Sequence, residues 1–235
     1  AFEEINMEIV RQIYTDRLKE IDLYYKLIDC FDTSKTDTDN LKSDLFLNKQ
    51  LETIVKANAL LMLYNLVEST FVNSIEYLYN ALKDDKITYL TTSSEIQQIW
   101  LNHKFYNAYD KKAHFDTYKS TAEKIVDLII SNAPLELNRR AANVSGNLDA
   151  DTIRNVCKDH GIPFETPKGC HGGEKLSKLK ERRNQLAHGT MSFAECGREL
   201  TTTDVYNIKK EVVIFLQGFI GAIEAYYHNK AYVSK

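Results

Sequence analysis

The chain has 235 residues, of which 43% are apolar and 27% charged, and its formal net charge is −3. That mixture excludes a disordered polymer, a fibre and a broadly basic nucleic-acid coat, and the length suffices for one sizeable core without disulfide or metal staples. Only 9 glycines and 3 prolines are present, and both types gather between Gly146 and Gly197, so helix is expected before Pro134 and irregular structure after it.

In chain order, a first helix is expected over residues 3–31, with Ile5, Ile9, Ile13, Ile21, Tyr24, Tyr25 and Ile28 at helical spacing. Residues 32–40 form a polar loop rich in N-cap residues. A long helix over 43–83 carries a stripe that includes Leu51, Ile54, Val55, Leu61, Phe71, Val72, Ile75, Leu78 and Leu82. Its charge-poor stretch, 57–82, contains Glu68, Glu76 and four asparagines, too polar for a membrane span and suited to a buried helix. Shorter helices are expected over 94–100, capped from 91–94, and over 117–131, while 132–148 is ambiguous. Residues 149–160 form a short helix ended by Gly161 and Pro163, followed by a glycine-rich loop to Gly173. That loop lacks a Walker pattern and a preceding strand, so it reads as a flexible lid or a partner-docking loop. A helix over 174–188 stops at Gly189, and a last helix from Thr203-Asp204 presents the wide apolar face Val205, Ile208, Val212, Phe215, Leu216, Phe219, Ile220, Ile223 and Tyr227. The fold class expected is all-α: one up-and-down helical bundle over residues 1–235 with a loop-rich insertion.

Four cysteines without a CxxC pair do not make a disulfide scaffold, and no signal-peptide pattern is present, so a reducing cytoplasm is the expected location. Cys157, His160, Cys170 and His171 are four potential zinc ligands within fifteen residues, but adjacent ligands rarely reach one tetrahedral ion, and no metal is assigned. No Ser/His/Asp arrangement, GxSxG, HExxH or dinucleotide fingerprint occurs.

The most informative segment is Lys180-Glu-Arg-Arg-Asn-Gln-Leu-Ala-His-Gly-Thr190. On a helix Asn184 and His188 share a face, Arg183 lies about 100° round from Asn184, and His188 falls in the last turn, where the helix dipole favours a cation. A guanidinium, an amide and an imidazole at one helix end suit phosphodiester cleavage: histidine moves the proton of a 2′-hydroxyl, and arginine holds the phosphate oxygens as charge builds. The strip 174–189 carries Lys175, Lys178, Lys180, Arg182 and Arg183 against Glu174 and Glu181, a local surplus of +3 that would attract an RNA backbone through Lys178 and Lys180. The same pattern also suits a solvated helix face with a capping histidine. A second Arg-to-His spacing, Arg154 to His160, again precedes a glycine. Glu68 and Asn65 sit on a largely apolar stripe of the long helix, so Glu68 requires a partner: the motif arginine, or an ion pair elsewhere.

The run Glu181-Arg-Arg-Asn-Gln-Leu-Ala-His-Gly189 resembles the signature of the HEPN superfamily, with Arg183, Asn184 and His188 at the matching positions and Arg182 a looser alternative. Ala59-Leu-Leu-Met-Leu-Tyr-Asn-Leu-Val-Glu-Ser69, Met191-Ser-Phe193 and the apolar final helix are similar to a bacterial standalone HEPN group linked to toxin–antitoxin and phage-defence loci. The resemblance covers most of the chain. It implies a homodimer whose two motifs meet in a composite cleft, and metal-independent endoribonuclease activity leaving a 2′,3′-cyclic phosphate. It further implies no cofactor, no membrane partner, and a cognate antitoxin or regulatory protein. Some members of the superfamily lack the Arg or His and serve as binding modules, so a non-catalytic helical module that binds RNA or a protein is the alternative.

Overall fold

The structure is a computed structural model that describes residues 7–33, 42–106, 115–142 and 146–234. Ile5 and most of the polar loop at 32–40 lie outside those residues. Eight α-helices occur in the described part: α1 (Met7–Thr33), α2 (Lys42–Asp84), α3 (Ser94–Tyr106), α4 (Phe115–Ile130), α5 (Ala150–Asp159), α6 (Glu174–Ala187), α7 (Phe193–Arg198) and α8 (Thr202–His228). Isolated bridges, Thr88 with Pro134 and Thr92 with Val233, stand where a sheet would be, and the expected all-α class is what the chain adopts. No helix among the described residues is long and apolar enough to cross a membrane.

The 43-residue α2 is the axis of the molecule: free of Gly and Pro, it packs along α1, α7 and α8 and touches α6. Ala57, Ala59, Leu60, Leu63, Tyr64, Leu66 and Val67 are all buried, so this stretch is apolar on nearly every side, as a surrounded helix must be. On α1 the buried residues are Met7, Val10, Tyr14, Ile21, Tyr25 and Ile28, a seam that steps by three or four once the partly buried Leu18 is included, while Ile9 is 40% exposed. The expected stripes therefore need correction at Ile9 and at Leu51 and Ile54, which face solvent.

Short helix α7 was not expected. Ser192 caps it in a reciprocal capping box with Glu195, and Gly197 permits a close crossing of α2, since a Cβ there would lie 1.8 Å from the Thr53 carbonyl oxygen. Of the two readings of the glycine-rich loop, a flexible lid or a partner-docking loop, the lid needs correction, because the loop is pinned to the core. Phe164 packs edge-on against Phe215, Pro167 lies over Gly218, and Arg154 donates to Thr166 Oγ1 (3.0 Å) and to the Gly172 carbonyl (2.7 Å). Apolar contacts and the two hydrogen bonds from Arg154 outweigh the freedom that its glycines supply. In the ambiguous stretch, Leu135 N–H donates to the Ile87 carbonyl (2.7 Å), and Asn138 starts a single 3-10 turn, Arg139–Ala142.

Candidate active site at the end of helix α6

Helix α6 starts at Gly173, whose left-handed backbone (φ 82°) lies against Ala150, and it buries Leu176, Leu179 and Leu186. It ends in a Schellman motif: Gly189 N–H donates to the Leu186 carbonyl (3.3 Å) and Thr190 N–H to the Gln185 carbonyl (3.0 Å). Gly189 supplies the left-handed residue, φ 69°. His188 is the last cap, and its backbone N–H donates to the Asn184 carbonyl. The imidazole is exposed, and no side-chain partner for it occurs among the described residues.

Arg183 points the other way, onto α2. Its Nη2 donates to Glu68 Oε1 (3.2 Å), its Nη1 donates to Asn184 Oδ1 (2.9 Å), and its guanidinium carbon lies 4.6 Å from the centre of the Tyr64 ring. Tyr64 and Glu68 are one helical turn apart on α2, so one residue supports the guanidinium plane and the other binds its edge. The Tyr64 hydroxyl donates to the Gly146 carbonyl (3.0 Å) and accepts from Leu148 N–H (2.9 Å), which ties the loop after residue 145 to the same place. Asn184 Nδ2 in turn donates to Asn147 Oδ1 (3.0 Å). Because a guanidinium only donates, Asn184 must turn its oxygen to Arg183 and its amide nitrogen to Asn147, which determines the orientation of the amide.

Both members of the ion pair keep about a quarter of their side-chain surface in solvent, 28% for Arg183 and 27% for Glu68. Arg183 uses two of its five N–H groups on these partners, and the others remain for an anion. The arrangement is a guanidinium held onto α2 with N–H groups left for an anion, and an exposed imidazole at the end of the same helix that makes no hydrogen bond to Arg183 among the described residues.

Three other cations of α6 have partners. Arg182 bonds to Glu199, Met191 and Gln185, tying α6 to the chain around α7. Lys180 is ion-paired to Asp149, the N-cap of α5, and Lys178 to Glu174 (2.6 Å) on the outer face of its own helix. Burial pulls the Asp149 carboxyl upward, but hydrogen bonds from Lys180 and Thr152 prevail and hold it below the usual carboxylate range. Sequence reasoning missed both Asn147 and Tyr64 as part of the site. The i, i+4 step from Tyr64 to Glu68 was a visible signal, whereas Asn147 has none.

The second Arg-to-His spacing resolves differently. His160 is buried, its Nδ1 lies 2.7 Å from the Val156 carbonyl and its Nε2 2.7 Å from the Tyr79 hydroxyl. A carbonyl only accepts, so Nδ1 carries the proton and Nε2 accepts from Tyr79. Burial lowers the pKa of this histidine to about 4 and pushes the Cys157 thiol up to about 12. Cys170 donates to the Pro167 carbonyl, and His171 lies 3.1 Å from Glu211. No group of three or more metal-ligating side chains forms among the described residues, and both ring nitrogens of His160 are already engaged.

The model of a family described as HEPN_MAE_28990-like HEPN aligns with residues 11–232. No curated protein and no solved structure matches the chain.

Proposed function

The chain belongs to this HEPN family, and on that premise we propose that it is an endoribonuclease that cleaves RNA without a metal ion. The observation that carries the proposal is Arg183, held by Glu68, Asn184 and the Tyr64 face at the end of α6 that exposes His188. Arg183 binds the non-bridging oxygens of the scissile phosphate as their charge grows. His188 positions the 2′-hydroxyl or takes its proton. The 2′-oxygen forms a bond to phosphorus, the bond from phosphorus to the 5′-oxygen breaks, and a proton is delivered to that leaving oxygen. The products are a 2′,3′-cyclic phosphate and a 5′-hydroxyl end, with no change in oxidation state. Asn184 orients the site, Glu68 and Arg182 position it, and Lys178 and Lys180 lie along the RNA approach. The protein acts as a homodimer in which a second copy brings its own motif to the cleft, as a toxin or defence effector restrained by an antitoxin or regulatory protein.

Incubation with RNA in EDTA tests this. Wild type yields cyclic phosphate ends, and His188→Ala and Arg183→Ala, each folded by circular dichroism, lose at least about a hundredfold in rate, the scale of a removed acid–base or phosphate-holding group. Full activity in either variant removes that residue from the mechanism.

The Glu68 ion pair also favours a second reading, a non-catalytic module that binds RNA, because an arginine already paired is a sound structural brace. That reading expects salt-sensitive RNA binding without turnover and unchanged by His188→Ala.

A further inference from the structure

A groove of about 650 Å³ opens beside the Arg183–Glu68 pair, and Glu68, Gly146 and Leu148 belong to both places. Its size lies within the ~300–1,000 Å³ typical of sites that enclose small molecules or single residues of a polymer. The floor is apolar, formed by Phe71, Val72, Ile75 and Leu148. The rim carries three arginines from distant parts of the chain: Arg17 of α1 and Arg139 and Arg140 of the single turn started by Asn138. All three are exposed, and none has an acidic partner among the described residues. The one carboxylate on the groove wall, Glu68, is neutralised by Arg183. Asn65 and Asn73 of α2 add amides to the wall.

An apolar floor, amides on the wall and unpaired guanidinium groups on the rim match the three parts of a nucleotide: a flat apolar base face, polar base edges and a phosphate. We propose that this groove is the subsite for the nucleotide adjoining the cleaved linkage of single-stranded RNA. The base lies over Phe71 and Val72, and Arg139, Arg140 and Arg17 hold the phosphates on either side of it. The inference rests on the RNA reading of the α6 site and extends it by naming where the strand runs after it leaves Arg183.

The test is binding rather than turnover. A fluorescein-labelled single-stranded RNA of about 12 nucleotides with 2′-O-methyl groups, which cannot undergo 2′-hydroxyl attack, is titrated by anisotropy over a range of salt. Arg139→Ala/Arg140→Ala is expected to raise Kd about tenfold and to flatten the plot of log K against log salt by about 1.4, the value for two lost phosphate contacts on a single strand. Lys124→Ala/Lys210→Ala, an equal charge change at exposed positions outside the groove, is expected to move Kd less than about twofold. Val72→Trp fills the floor without changing charge and is expected to raise Kd about fivefold at an unchanged salt slope. The proposal is overturned if the arginine variant behaves like the lysine control, if the filled floor leaves Kd unaltered, or if wild type does not bind this RNA. Cleavage lost in His188→Ala together with arginine-independent binding sinks the groove and leaves the nuclease standing. Arginine-dependent binding with no cleavage by wild type keeps the groove and sinks the nuclease.

Discussion

Arg182 and Arg183 are adjacent in the chain yet serve different neighbours, the first Glu199 and Met191, the second Glu68, Asn184 and Tyr64. Of the two histidines at similar distances from an arginine, His188 faces solvent and His160 is sealed between Tyr79 and the Val156 carbonyl. Burial makes His160 a structural group with a pH signature. Its folded pKa is about 4 against 6.5 in an unfolded chain, so between those values the unfolded state holds the extra proton. The contribution is complete above pH 6.5 and is lost as pH falls through 4, amounting to roughly 3 kcal/mol across the full window. Thermal melting of wild type from pH 7.5 to 4.5 is expected to fall more steeply than that of His160→Gln, whose amide cannot titrate. Parallel profiles would show that His160 does not set this slope.

At the level of elements, the end of α6 matters most, because it places His188. The turn depends on Gly189 at φ 69°, and a Cβ there meets no atom within 4 Å. Gly189→Ala therefore adds backbone strain without a clash, about 1 kcal/mol, or a Tm lower by about 2–4 °C for a chain of this size. Because the strain falls one residue from His188, RNA cleavage is expected to drop by more than the loss of folded protein explains. A calorimetric scan beside a cleavage assay at 25 °C measures both. Equal Tm and equal rate would mean that the helix end tolerates a different turn. The capping box of α7 and the close approach of Gly197 to Thr53 hold the chain after this turn against α2, so the α6 end is supported from both sides.

For the whole molecule, Arg183 faces inward onto α2 while His188 stands in solvent without a partner from its own described residues. Among the described residues no second imidazole stands at this end of α6 to serve the leaving 5′-oxygen, and the homodimer proposed above would bring one from the second copy. Light scattering is expected to give twice the 27.1 kDa of one chain, and the cleavage rate per chain is expected to fall on dilution below the dimer's Kd. A fully active species of single-chain mass would remove the composite site from the mechanism.

Much of this architecture is written in local sequence. Absence of Gly and Pro over 42–84, apolar periodicity in α8 and the glycines after Asp159 and His188 each act within a few residues, so helix content and the stop at Gly189 are legible without coordinates, whereas of the expected cluster the structure joins Arg183 to Asn184 and leaves His188 in solvent. Six residues are too few to show a period, which is why α7 escaped notice although Ser192 and Glu195 marked its start. Which face of α1 turns inward, that Lys180 is committed to Asp149 rather than left in solvent, and that Asn147 meets Asn184 are decided only in the folded chain. The physical reason is range: helix formation and capping depend on hydrogen bonds three or four residues apart, whereas the partner of a long polar side chain depends on which distant segment tertiary packing brings within 3 Å.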